Sequence, residues 1–214
     1  MKTTQVLLAA GLFLLISCDN DKKDDGKNGD KKDTLAVATQ PTPMPDSATM
    51  MKNWEAYMTP GDMHKMMADW NGAWTATTTV WMAPDAPPAT STGTAVNKMS
   101  LGGRYQTGTF VGTFNGMPFE GMSTLAFDNA KKAFISSWID NMGTGIMKLE
   151  GPWDAATNTM DLRGKMVDPG TGKETDAHEI FTVKDSNTQL MQMFAPGPDG
   201  KEFKTMEIVF TRKK

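Results

Sequence analysis

A histidine among methionines is the first candidate for metal chemistry in this chain. His64 lies within the run 63–67, Met-His-Lys-Met-Met, and thioether sulfur together with imidazole nitrogen suits Cu(I). A neutral imidazole also ligates haem iron. Methionine is equally a flexible filler of protein cores, and the chain has 19 of them. His64 is therefore a candidate ligand for copper or haem, with core packing as the alternative.

The second histidine lies in an extended stretch beside two acids. Adjacent strand residues face opposite sides of a sheet, so Asp176 can share a face with His178 and Glu179 cannot. Two candidate ligands are too few to define a metal site. The chain has 2 histidines, neither in a nucleophile motif, so no Ser-His-Asp set can be assembled. Pairs of acids alone do not define a hydrolase. The sequence nominates no catalytic residue and no cofactor.

A larger set of residues suits binding rather than catalysis. Charged side chains lie in or at the ends of apolar segments, and buried charges must be paired. If they face inward, they could hold the polar head of a ligand whose apolar body meets aromatic walls; if they lie at the rims, they are simply solvated. The candidate ligand-binding residues are Trp74, Trp81, Arg104, Glu120, Phe134, Trp138, Asp140, Glu207 and Arg212.

The N-terminus has the features of an export signal. Lys2 precedes the apolar run 6–16, and Leu-Ile-Ser-Cys at 15–18 resembles the lipobox of bacterial lipoproteins. That resemblance implies a signal peptide over residues 1–17 and a lipidated, membrane-anchored Cys18. The expected location is the cell envelope, on the outer membrane and facing the periplasm or the surface. The acidic residues after Cys18 resemble both an inner-membrane retention signal and a surface-export signal, so the leaflet stays open.

Residues 18–46 read as a tether. They are charged at first and then rich in Thr, Ala and Pro, a composition that cannot bury enough apolar surface to fold. The single folded domain is expected over residues 47–214. Cys18 is the single cysteine of the sequence and lies outside that domain. Disulfides and thiolate metal clusters in the domain are therefore excluded. The net charge is −3 and no basic patch appears, so nucleic acid is not an expected partner.

Two short helices are predicted before the strands. Met50, Met51, Trp54 and Met58 have helical spacing. The run 59–62, Thr-Pro-Gly-Asp, ends this helix and starts another, since threonine caps and proline occupies the first helical position.

The rest of the chain alternates strand-forming segments with turn residues. Asn115-Gly116 is a strong signal for a two-residue hairpin turn. Short links and missing helical crossovers favour an antiparallel, up-and-down sheet, and closure would remove its two exposed edges. A barrel of this size has room for one small ligand. Which strand parity faces inward is left open, because both faces carry aromatics. The predicted strands cover 73–82, 91–99, 104–114, 117–127, 132–140, 144–153, 159–167, 175–183, 189–194 and 202–212.

Several short motifs resemble a bacterial family, domain of unknown function 1579. They occur in order over residues 47–212; Ala126-Phe127 departs from the Gly-Tyr that the family often has. The resemblance implies a lipocalin-like (calycin-like) barrel and no established activity. The motifs include Thr59–His64, Leu101–Arg104, Gly116–Gly121, Trp138–Asp140 and Met206–Ile208.

These observations predict a mainly β protein, with about ten antiparallel strands in a lipocalin-like barrel and two short N-terminal helices. We expect a lipid-anchored envelope protein that binds a small, largely apolar ligand inside the barrel. The alternatives are a copper or haem protein that uses His64 and its methionines, and a structural module with a filled barrel.

Overall fold

A closed β-barrel dominates the computed structural model, which describes residues 44–214. The predicted signal peptide, Cys18 and the tether as far as residue 43 lie outside these residues. In the described part, helices α1 (Ser47–Met58) and α2 (Asp62–Asp69) precede eleven strands. The strands are β1 Gly72–Val80, β2 Ala89–Ser100, β3 Tyr105–Phe114, β4 Met117–Asp128, β5 Ala133–Asp140, β6 Met147–Gly151, β7 Trp153–Asp154, β8 Thr159–Asp168, β9 Lys173–Asp185, β10 Thr188–Pro196 and β11 Glu202–Arg212.

Two pairings between strands that are not consecutive in sequence, β1 with β11 and β6 with β8, close the sheet into a barrel. The first strand pairs with both β2 and β11, and β6 pairs with both β5 and β8, all antiparallel. The predicted ten-stranded antiparallel barrel is therefore confirmed within residues 44–214, with β7 as one extra strand on β8. Closure leaves no long unpaired edge, which an open sheet of this size would expose.

The sixth predicted strand is interrupted where its backbone crosses close to β8. A Cβ at Gly151 would overlap the carbonyl group of Asp161, so only glycine fits. Pro152 follows and has no N–H to donate. The interruption separates β6 from β7. The Asn115-Gly116 turn is as predicted, with φ of 50° and 78°, the positive values that a type I′ hairpin turn requires.

The register decides which side chains face the interior. Along β1, Trp74 and Ala76 are buried, whereas Thr75 and Thr77 between them are exposed. Residues paired across antiparallel strands share a face, so the inward positions of β1 also define the inward positions of the strands that follow around the barrel. The inward positions in register with Trp74 are Ala95, Phe110, Gly121, Asp140 and Arg212.

The two helices differ in how they contact the barrel. None of the α1 residues is buried, and Trp54 is 60% exposed. The Asn129 amide in the β4–β5 turn donates to carbonyls at the end of α1. By contrast, α2 buries His64 and Met67 against one end of the barrel. No helix in residues 44–214 is long and apolar enough to cross a membrane.

Candidate functional site

One end of the barrel is closed by α2 and the residue that ends it. The Trp70 ring packs against Phe134, Trp153 and Phe181, with centroids 6.3, 6.1 and 5.7 Å away. Its carbonyl oxygen accepts from Trp74 Nε1 at 3.1 Å. Phe134 and Trp74 are 0% exposed, so both predicted wall residues are completely surrounded by protein. We call this half of the barrel the plugged end.

Arg212 holds the plug in place. Its guanidinium donates to the carbonyl oxygens of Asn71, Asp69 and Ser186 at 2.6, 2.7 and 2.8 Å. It also lies over the Trp74 ring, 4.2 Å from the centroid. Carbonyls at a helix C-terminus need donors from outside the helix, and Arg212 supplies them. The predicted ligand anchor therefore has a structural role.

His64 is also committed to packing. Its Nδ1 accepts from the Gly61 N–H at 3.1 Å, which caps α2, and the ring meets Phe127 edge-on. Burial lowers the pKa of His64 and favours the neutral imidazole. Met63, Met66 and Met67 belong to the core cluster around Phe134. His64 and these methionines therefore contribute to the capping of α2 and to the packing of the core.

His178 lies on the outer face, between two carboxylates. Its Nδ1 is 2.9 Å from Glu202 Oε2, and its Nε2 is 3.1 Å from Asp161 Oδ1. The Phe194 ring covers it, with centroids 5.3 Å apart. Asp176, expected beside His178, instead pairs with Lys165 at 3.0 Å. Within residues 44–214 no group of three His, Cys, Asp or Glu side chains could hold a metal ion.

The opposite half of the barrel, which we call the open end, is not covered by a helix in residues 44–214. Many inward-facing side chains there keep part of their surface exposed, although both strand neighbours cover their flanks. The partly exposed inward residues are Val80, Ser91, Phe114, Phe119, Trp138, Asp140, Met147, Met166 and Met206.

The central feature of the open end is an aromatic pair with an acid beside it. The rings of Phe119 and Trp138 lie 20° from parallel, with centroids 6.3 Å apart. Trp138 Nε1 donates to Asp140 Oδ2 at 2.8 Å, which fixes the indole across the barrel. The ring passes over Gly121, where any Cβ would collide with it. Trp138 and Asp140 are thus two predicted site residues that the fold brings together on the inner face of the barrel.

Two clefts lie near the barrel ends. A cleft of about 370 Å³ is at the open end, where inward-facing Val80, Ser91 and Phe114 form part of its wall. A cleft of about 620 Å³ at the plugged end lies between α2 and the β9–β10 turn. Trp70 and Arg212 line that larger cleft together with the inward-facing residues Trp153, Val183 and Gln189.

Deep in the interior lies an acid without a partner. Glu179 is 8% exposed, faces inward, and is in register with Leu162 and Met193. Burial alone raises the pKa of Glu179 to about 7, because no hydrogen bond or charge stabilises the carboxylate. Thr78 Oγ1 is also buried and inward-facing and has no hydrogen-bond partner in residues 44–214.

The remaining predicted site residues lie outside the barrel interior. Glu207 binds Lys204 Nζ at 2.6 Å, and this ammonium lies 4.7 Å from the Trp81 ring centroid, on the outer face. Glu120 is exposed beside inward-facing Gly121. Arg104 lies in the exposed β2–β3 turn. These four cannot line an interior cavity, because strand parity or position turns them to solvent.

Sequence reasoning overlooked Glu179 as an interior residue, although a signal was present. The positions 175, 177, 179, 181 and 183 read Thr, Ala, Glu, Phe and Val, an apolar set interrupted by one acid. The alternate set, with Asp176, His178 and Lys184, is the polar one. Period-two alternation thus favours an inward Glu179.

Comparison with known proteins identifies the family. The sequence profile described as "Protein of unknown function (DUF1579)" matches residues 59–212. The chain belongs to this family. No curated protein matches the chain.

One solved structure supports the fold. The crystal structure of Rv2717c from M. tuberculosis is similar at a TM-score of 0.55 and 12% identity, covering 73% of this chain and 100% of that one. A redesigned beta barrel matches at a TM-score of 0.37 and 15% identity, over 69% of this chain and 95% of that one. The first likeness supports the barrel architecture alone.

Proposed function

We propose that this DUF1579 protein binds a small, largely apolar molecule in the open end of its barrel. The observation that carries the proposal is a group of inward-facing apolar side chains at the open end that keep part of their surface exposed. They include Phe119, Trp138 and Met206. Exposed apolar surface in a concave site favours an apolar ligand that displaces water from it.

The polar groups suit one oriented ligand. Asp140 holds the Trp138 indole, and its other oxygen accepts from the Met142 N–H at 2.9 Å, so the acid stiffens the wall. A rigid wall lowers the entropy cost of binding. The Thr78 hydroxyl offers a hydrogen bond that the protein itself leaves unused.

From the N-terminal sequence we propose that this binding domain is anchored to a membrane. Lipidation at Cys18 and the tether to residue 46 are proposals from sequence, and they would hold the barrel within reach of apolar molecules in the envelope. Mass spectrometry of the N-terminal peptide from purified full-length protein tests the anchor: a diacylated Cys18 supports it, and an unmodified Met1 rejects it.

Binding itself is testable with N-phenyl-1-naphthylamine, an uncharged apolar dye that fluoresces out of water. We expect one dye per full-length protein, and at least tenfold weaker binding in Trp138→Ala. The matched control is Trp54→Ala, which removes the same side chain from the exposed face of α1. Equal weakening in both variants, or no dye binding by the wild type, would reject the proposal. Circular dichroism of each variant checks that the barrel is intact.

A further inference from the structure

The charge of the barrel interior points to the kind of ligand it accepts. Within residues 44–214, the register places three carboxyl side chains on the inner faces of the strands, Asp140, Asp168 and Glu179. The inward cations are Lys173, at the rim of the open end, and Arg212, whose guanidinium is used by the plug. Between rim and plug the interior therefore carries acids and no described cation.

The carboxylates of two of these acids already accept hydrogen bonds from the protein. Asp140 accepts from Trp138 Nε1 and from the Met142 N–H. Asp168 accepts from the N–H groups of Gly170 and Thr171 at the rim, at 2.7 and 3.1 Å. Neither carboxylate needs a ligand to compensate its burial.

Glu179 differs, because the groups around it are apolar. Its partners in register, Leu162 on β8 and Met193 on β10, are themselves buried and cannot donate. No side chain on β10 titrates. The other inward charged or titratable groups are Asp140, Asp168, Lys173 and Arg212 on the strands, and His64 within the plug, whose pKa burial lowers. An unpaired buried carboxyl costs free energy unless a bound group pairs with it.

Resting on the binding function proposed above, we infer that the ligand is an amphiphilic amine whose basic nitrogen meets the Glu179 carboxylate. Its hydrocarbon part would lie along the Phe119–Trp138 pair. An ammonium donates up to three hydrogen bonds and supplies the missing positive charge. A neutral alcohol of the same length could fill the same apolar space but would leave the carboxylate without a countercharge.

The test compares two molecules that differ in their head group, 1-octylamine and 1-octanol. Each is titrated against full-length protein loaded with N-phenyl-1-naphthylamine at pH 8, and displacement of the dye reports binding. We expect octylamine to bind at least tenfold more tightly than octanol. In Glu179→Gln, which keeps the shape and removes the charge, that preference should disappear while octanol binding changes less than twofold.

Proton competition provides a second readout. The amine stays protonated between pH 5.5 and 8, whereas burial raises the pKa of Glu179 to about 7. Below that pH the carboxyl must lose its proton before it can pair, so octylamine affinity should fall up to tenfold per pH unit. Octanol affinity should stay flat over the same range.

The outcomes separate this inference from the proposal it rests on. If neither dye nor octanol binds, the binding function itself is rejected. If both octyl compounds bind equally well, or Glu179→Gln keeps the preference, the barrel binds apolar molecules but Glu179 is not the amine site. Loss of the preference in Asp140→Asn with Glu179→Gln unchanged would assign the amine to Asp140 and overturn the inference. Circular dichroism confirms folding of both variants.

Discussion

Replacement of Glu179 by glutamine should change how the stability of the barrel depends on pH. The side chain is 8% exposed, and burial raises its pKa from the ordinary 4.5 to about 7. The folded protein therefore keeps the Glu179 proton up to about pH 7, whereas the unfolded chain releases it near pH 4.5. Because the folded state binds more protons in this window, its stability falls as pH rises through it.

The size of the effect follows from the two pKa values. At about 1.4 kcal/mol per pKa unit, Glu179 should cost the wild type about 3 kcal/mol of unfolding free energy between pH 4.5 and pH 8. The cost is absent below pH 4.5 and reaches its full value above pH 7. Glutamine does not titrate, so the variant lacks this contribution.

Urea denaturation of wild type and Glu179→Gln at pH 5 and pH 8, without added amine, measures the difference. The unfolding free energy of the wild type should drop by about 2–3 kcal/mol more than that of the variant. Subtracting the unfolding free energy at pH 8 from that at pH 5 cancels any pH-independent effect of the amide. The titration of His64 occurs in both proteins, so it cancels when the two are compared. Glu120→Gln, on the exposed outer face, is the control and should follow the wild type. A difference below about 0.5 kcal/mol would show that Glu179 is solvated or paired, and would refute the reasoning.

Two further substitutions test the plug and the wall. Arg212→Lys should lower the unfolding free energy by about 2–3 kcal/mol in urea denaturation, because one ammonium cannot reach three carbonyls; a loss under 0.5 kcal/mol would show that the guanidinium does not hold the plug. Gly121→Ala should displace the Trp138 indole, cost about 1–3 kcal/mol and weaken dye binding. The control is Gly145→Ala, because a Cβ added there would meet no atom within 4 Å. Equal stability and dye binding of the two variants would contradict the predicted collision.

Much of the fold could be predicted from sequence because its signals are local. The Asn115-Gly116 turn needs only two residues that tolerate positive φ, and the structure has it. Strand ends also follow local turn chemistry, and most predicted bounds lie within a few residues of those observed. The break between β6 and β7 was missed, because it depends on how closely Gly151 approaches Asp161.

The candidate site was predictable only in part. Trp138 and Asp140 were recognised from their residue types, and the barrel turns both inward. Arg212 looked like a ligand anchor, but its partners are backbone carbonyls as far away in sequence as Asp69, which no local pattern indicates. Trp81 and Glu207 looked equally suitable, and they lie together on the outer face.

The sequence by itself determined the kind of elements and their approximate positions, since turn residues and period-two alternation act over a few positions. On strands whose two faces both carry apolar residues, tertiary structure alone decided which parity faces inward, because the choice depends on the register of all ten barrel strands. That choice places Glu179 inside and His178 outside, although they are neighbours in sequence. The unpaired interior charge is therefore a consequence of barrel closure.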